Sequence, residues 1–266
     1  MEIIGILNVT PDSFSDGGKH LKNPIKDALK MIKDGATIID IGGQTTKPGA
    51  EIITTNTELS RVIPVLRKLK EVIGSKKMDV KISIDTMNST VALESIKLGV
   101  DFINDVSMGK YDKNMLGVVS QNNVKYIISH SINPMDHLHD VINKNTILNN
   151  VVSELNERVE QLIKNKICKN KIIIDPGIGF SKPTWDLNWP LLVNLNEFKK
   201  IGCPILIGAS RKRFLSSMCG EDNINWRKKD KATAIISLLS FLQNAWGVRV
   251  HDVKTTVSLL KKFNEN

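Results

Sequence analysis

The chain has 266 residues, of which 41% are hydrophobic and 24% charged, an ordinary globular composition at a length that suits one α/β barrel of about 250 residues. No apolar run reaches the roughly 18 residues of a membrane span, and no basic-then-apolar signal precedes the first strand, so neither a membrane nor a secretory route is expected. The net charge is +9, but the lysines are scattered over what read as outer helix faces; the excess reads as compositional bias and not as a nucleic-acid patch. Three cysteines, Cys168, Cys203 and Cys219, lack metal-like spacing and point to reduced thiols in a cytoplasmic compartment.

In chain order, "IIGIL" reads as a buried strand ending at Asn8, followed by a loop dense in short polar groups around Phe14 and Asp16. A helix starts at Pro24, with Asn23 as its cap and Gly35 as its stop. "TIIDIGG" is the second strand. Its helix has Thr55 and Glu58 in capping-box spacing, apolar residues at helical period, and Pro64 as an expected bend. "KISID" precedes a helix over about 89–98, and "DFIND" one near 114–122. "KYIISH" precedes the long stretch "NNVVSELNERVEQLIKNK". "KIIIDPG" leads to a helix around "PLLVNLNEFKK", "CPILIGAS" to "KATAIISLLSFLQNA", and "GVRVHD" to "VKTTVSLLKKF". Eight Ile- and Val-rich strands alternating with helices imply a parallel sheet buried on both faces, and eight units close most naturally as a (β/α)8 TIM barrel. No low-complexity linker divides the chain, so residues 1–266 read as one domain.

In such barrels the chemistry sits at the C-terminal strand ends. Those ends carry Asn8, Asp40, Asp85, Asn104, His130, Asp175, Ser210 with Arg211 and Lys212, and Arg249 with His251. Asp40, followed by Gly42-Gly43, reads as an organiser of its own turn. The convergence marks a polar small-molecule pocket. Asp85, Asn104 and Asp175 suit a flat heterocycle with an amino-pyrimidinone edge, and Lys212 can donate to a ring carbonyl. Lys47, Arg211, Arg249 and His251 suit phosphate on the other side, with Thr45 and Thr46 adding hydroxyls. Asn8 offers a neutral oxygen acceptable to Mg2+. His20, His137 and His139 read as loop residues, although "DHLHD" has the look of a metal cluster.

The segments "GILNVTPDSFSDGG", "GATIIDIGGQTTKPGA", "ISIDT", "FINDV", "IIIDPGIGF", "IGASRKRF" and "VRVHDV" stand in an order and spacing that resemble the dihydropteroate synthase family nearly end to end. That resemblance implies condensation of 7,8-dihydropterin-6-ylmethyl diphosphate with para-aminobenzoate, in folate biosynthesis. By matching motifs, Asp85, Asn104, Asp175 and Lys212 would hold the pterin, and Arg249 and His251 the diphosphate. Thr46, Phe180, Ser210 and Lys212 would border the aminobenzoate, and Asn8 would meet Mg2+. Phe14 and Asp16 would lie on a loop that folds over the site. Relatives form homodimers and are targets of sulfonamides; the helix "ATAIISLLSFLQNAW" is a candidate dimer surface.

Three departures bear on this. Lys47 stands where the family usually has Arg, and loses the planar fork. "GFSKP" replaces "GFGK", putting Ser181 beside Phe180. The strand begins almost at Met1, where relatives carry a leader, which fits a naturally short chain or one part of a fused folate-pathway polypeptide. Two other readings stay open. A catalytically weak or inactive pterin-binding paralogue is motivated by Lys47 and Ser181. A pterin-dependent methyltransferase would leave the "SRK" and "RVHD" cations unexplained.

Overall fold

The computed structural model describes residues 1–10, 23–44, 51–131, 145–221 and 224–264. Phe14, Asp16, Thr45, Thr46, Lys47, His20, His137 and His139 lie outside the described residues.

Among the described residues, eight strands form one parallel sheet in the order β6-β5-β4-β3-β2-β1-β8-β7. They are β1 (Glu2–Asn8), β2 (Ile38–Gly42), β3 (Lys81–Asp85), β4 (Phe102–Asp105), β5 (Lys125–Ser129), β6 (Ile172–Asp175), β7 (Leu206–Ile207) and β8 (Gly247–Val250). A parallel bridge between Ile174 and Ile205, with Ile174 N donating to the Pro204 carbonyl at 2.9 Å, closes the sheet into the expected barrel. The helices between them are α1 (Pro24–Lys33), α2 (Thr55–Ser75), α3 (Ser89–Lys97), α4 (Met115–Ser120), α5 (Ile147–Lys164), α6 (Trp185–Val193), α7 (Leu195–Lys199), α8 (Phe214–Met218), α9 (Trp226–Leu242) and α10 (Val253–Asn264).

Strand alternation separates two cores. Outward residues such as Ile39, Ile41, Ile82, Ile84 and Ile128 join the helices in one large cluster. Ile4, Ile38, Phe102, Ile127, Ile173 and Leu206 form a separate cluster inside the barrel, with Trp246 packed on it. Trp246 meets the Phe102 ring at 5.9 Å between centroids. Two residues further along four of these inward rows the apolar layer gives way to a polar one: Asp40 after Ile38, Asn104 after Phe102, Ser129 after Ile127 and Asp175 after Ile173. Period 2 alone therefore sets the floor of a site.

Three local readings change. The cap of α2 is Thr54, whose hydroxyl accepts from Thr57 N at 3.2 Å. The helix thus starts one residue before the expected box, and Glu58 falls a position too late to reach back to the cap; it is buried beside Gly43 instead. The helix expected around 190–200 is two helices, α6 and α7, broken at Asn194 (φ −118°, ψ 43°). The short α8 has no counterpart in the sequence reading.

Candidate active site

Asp40, Asp85, Asn104 and Arg249 form one buried network. Arg249 Nε donates to Asp40 Oδ2 at 2.6 Å, and Arg249 Nη2 donates to Asp85 Oδ2 at 2.5 Å. Asn104 Nδ2 donates to Asp40 Oδ2 at 3.0 Å. Asp40 is thus not a mere turn organiser: it orients both Asn104 and Arg249, and its partners lie too far along the chain for that role to be read from a short motif. Arg249 points into the carboxylate layer, and two of its guanidinium nitrogens are engaged there. Burial pushes the Asp85 carboxyl up to about 7; Arg249 opposes this, while Asp40 and Glu58 add to it.

The network is incomplete. Among the described residues, Asp40 Oδ1 and Asn104 Oδ1 are buried without a hydrogen-bond partner. An orphaned buried acceptor costs on the order of 1–3 kcal/mol, so a ligand that donates here recovers that cost. Two free acceptors beside the Asp85 carboxyl suit a planar ring with N–H and NH2 groups.

The opposite wall comes from the turn after β6 and the turn after β7. Asp175 Oδ1 accepts from Gly177 N at 2.7 Å, and Ser129 Oγ donates to Asp175 Oδ2 at 3.4 Å. Burial raises the Asp175 carboxyl above its ordinary value, and Lys212 is the largest opposing influence. Gly208 is a glycine because a Cβ there would lie 3.1 Å from Asp175 Oδ2. Lys212 Nζ donates to the Ile178 carbonyl and sits 3.7 Å from the centre of the Phe180 ring. Burial pushes Lys212 down to about 8, with Asp175 pulling it back up.

Ser210 and His251 pair at the rim: Ser210 Oγ lies 2.9 Å from His251 Nδ1 and accepts from His251 N at 3.0 Å. Arg211, although flanked by Ser210 and Lys212, turns away. Its backbone is left-handed (φ 58°), its fork grips Asp230 at 2.7 and 2.9 Å, and it stacks on Trp226 at 5.4 Å. Asn8 is exposed at the end of β1.

Two buried charges were not anticipated. Lys182, 0% exposed, donates to the carbonyls of Gly177 and Phe180 at 3.0 and 2.9 Å and meets His130 Nδ1 at 3.2 Å. Burial pushes it down to about 7, reinforced by Lys212. The sequence signal was the "GFSKP" motif itself, in which only Ser181 drew attention. Glu58 lines a small cleft with Asp85, Thr86 and Tyr111, its Oε1 unpartnered; burial raises its carboxyl, opposed by Thr86 and Arg61.

Asp85, Asn104, Asp175, Lys212 and Arg249 are therefore brought together, with Phe180, Ser210 and His251 around them and Arg211 outside.

The family model for pterin binding enzymes matches residues 4–251. The dihydropteroate synthase of Mycobacterium leprae is 38% identical, over 98% of this chain and 92% of the relative. The folate synthesis bifunctional protein of Arabidopsis thaliana is 42% identical, over 96% of this chain and 54% of its own length. A structure of Xanthomonas albilineans dihydropteroate synthase with 4-aminobenzoic acid superposes with a TM-score of 0.87 at 32% identity, covering 99% of this chain and 92% of that one.

Proposed function

From the premise that this chain belongs to the pterin-binding enzymes, and within them to the dihydropteroate synthase family, we propose that it condenses 7,8-dihydropterin-6-ylmethyl diphosphate with para-aminobenzoate to give 7,8-dihydropteroate and pyrophosphate. The observation that carries this reading is the unfinished hydrogen-bond network at the barrel floor: Asp40 Oδ1 and Asn104 Oδ1 await donors beside Asp85.

The geometry supports the following roles. Asn104 and Asp85 take the amino-pyrimidinone edge, and Asp175 takes ring N–H groups from the opposite wall. Lys212 donates to the ring carbonyl, and its stem with the Phe180 ring forms the apolar side of the arylamine subsite. The bond from the pterin methylene to the diphosphate oxygen breaks with both electrons leaving on the diphosphate. Positive charge then spreads from the methylene into the pterin, over a floor holding Asp40, Asp85 and Asp175 against Arg249 and Lys212. Fixed carboxylates favour that cation electrostatically without reorganising. The neutral arylamine nitrogen bonds to the methylene and then releases its proton to solvent or phosphate, so no strong base is required. His251, positioned by Ser210, faces the departing diphosphate, whereas Arg249, expected beside it in that role, is engaged by Asp40 and Asp85 at the floor.

Magnesium fits this chain as a guest shared with the substrate. Among the described residues no group of three or more His, Cys, Asp or Glu could hold a metal on its own. Mg2+, however, keeps most of its waters and needs only one or two protein oxygens besides phosphate. The exposed Asn8 carboxamide can be one. Bound there, the ion would neutralise charge on the leaving group.

We read the chain as one cytoplasmic domain acting as a homodimer. Its three cysteines are free thiols, and among the described residues no helix is long and apolar enough to cross a membrane. Ile235 and Leu242 on α9 are 58% and 60% exposed, and Phe263 on α10, which packs against α9, is exposed as well; this apolar surface suits a second copy. Light scattering of the parent and of Leu242→Glu tests the dimer.

Pyrophosphate release from the dihydropterin diphosphate with Mg2+, with and without para-aminobenzoate, tests the function. Release that requires the arylamine, with dihydropteroate formed, is the expected result. Tight pterin binding without release would overturn it in favour of a binding paralogue.

A further inference from the structure

The turn between β6 and α6 supplies three elements of the pocket at once. Gly177 N holds Asp175, the Ile178 carbonyl accepts from Lys212, and the Phe180 ring lies under the Lys212 ammonium. One buried side chain ties that turn together from within. Lys182 Nζ reaches Gly177 O at 3.0 Å, Phe180 O at 2.9 Å and His130 Nδ1 at 3.2 Å, which engages all three donors of an ammonium. The His130 contact is specific about tautomer. Accepting at Nδ1 leaves the ring proton on Nε2, which donates to Glu154 Oε2 at 3.1 Å. From outside, Asn188 on α6 completes the brace: its amide donates to the Lys182 carbonyl at 2.8 Å, and its oxygen accepts from Gly179 N at 2.6 Å.

We propose that Lys182 is a positioning residue of this site. Its ammonium clamps the carbonyls of the β6–α6 turn to His130 on the β5 side, and so sets where Phe180 and Lys212 meet the arylamine. Lysine is almost never fully buried unless its charge is fully partnered. A purely structural contact between the two loops could be apolar, whereas three fixed acceptors impose direction. The turn also needs external support, because Ser181 holds a left-handed backbone (φ 53°) that a non-glycine residue adopts at a cost of about 1–2 kcal/mol. This inference rests on the reading of Phe180 and Lys212 as the arylamine border.

The test is Lys182→Met, which keeps length and removes the donors. The KM for para-aminobenzoate is expected to rise about tenfold or more, while that for the dihydropterin diphosphate stays within about threefold. Amide exchange is expected to accelerate in peptides covering residues 177–183 and not in β1–β4. Equal changes in both KM values, or exchange that speeds everywhere or nowhere, would overturn the proposal. If Lys182→Met does not accumulate folded, His130→Leu and His130→Asn decide. The leucine removes one acceptor and should raise the aminobenzoate KM by about threefold; the asparagine oxygen should restore it. Identical behaviour of the two variants counts against the clamp. A parent protein that makes no dihydropteroate would defeat the functional reading, and the exchange comparison would then judge the clamp by itself.

Discussion

Arg249 on β8 and Asp85 on β3 meet across the barrel interior at 2.5 Å, although β1 and β2 stand between their strands. The contact pins a buried carboxylate that its surroundings would otherwise keep protonated, and it makes the site electrostatically poised before substrate arrives.

Asp85→Asn should therefore trade activity for stability. The folded-state pKa of about 7 lies above the ordinary 3.8, so the folded protein holds a proton that the unfolded chain releases between these values. Stability from this group is full below the unfolded value and declines as pH rises through 7. The variant is expected to lose roughly 100-fold or more in kcat/KM. It should gain in Tm at pH 8 relative to the parent, by about 2–4 °C for each kcal/mol recovered. At pH 4 the gain should vanish. Thermal melts at the two pH values check this.

Lys212 sets the alkaline limit. Its pKa of about 8 is far below 10.5, so the ammonium proposed to meet the pterin carbonyl is lost in a pH range where free lysine stays charged. A pH profile of kcat/KM should fall below about 7, as Asp85 gains its proton, and above about 8. Lys212→Arg should weaken the alkaline limb, leaving the part that comes from the Lys182 ammonium, which burial also holds below its ordinary range.

Ser181→Gly should stabilise the protein. The left-handed backbone at φ 53° costs serine about 1 kcal/mol that glycine does not incur. Urea unfolding should shift to higher midpoint with unchanged slope, and turnover should not fall.

Gly177→Ala should behave oppositely. At φ 69° a Cβ on Gly177 would overlap the carbonyl of His130, whose backbone is held just past the end of β5 by its N–H bond to the Asp175 carbonyl at 2.8 Å. A loss of about 3 kcal/mol or more is expected, read as low soluble yield and a depressed Tm.

How much of this was legible follows a physical line. Strand alternation and the polar strand ends are local, so the barrel and Asp85, Asn104, Asp175 and Lys212 could be placed from short segments. Asp40 was under-read because its function lies in Arg249, 209 positions away. Arg211 was grouped with its neighbours Ser210 and Lys212, but one left-handed residue reverses the direction of a side chain, and its fork went to Asp230. Lys182 was overlooked because a lysine in a loop ordinarily signals solvent. The Thr54 cap shows the same limit at small scale: adjacent threonines compete for one cap, and only backbone geometry chooses between them.

The barrel is also unevenly hooped. β7 contributes two residues to its pairing with β8, and toward β6 it is replaced by one bridge at Ile205. That weakest seam runs between Asp175, at the end of β6, and Lys212, beyond β7. A fluctuation that parts the staves there splits the wall that Asp175 and Lys212 share, while the other seams keep their ladders. Heat should accordingly silence the catalyst before it melts the protein: on slow warming, turnover is expected to fade at temperatures where far-ultraviolet ellipticity is still flat, and to return on cooling.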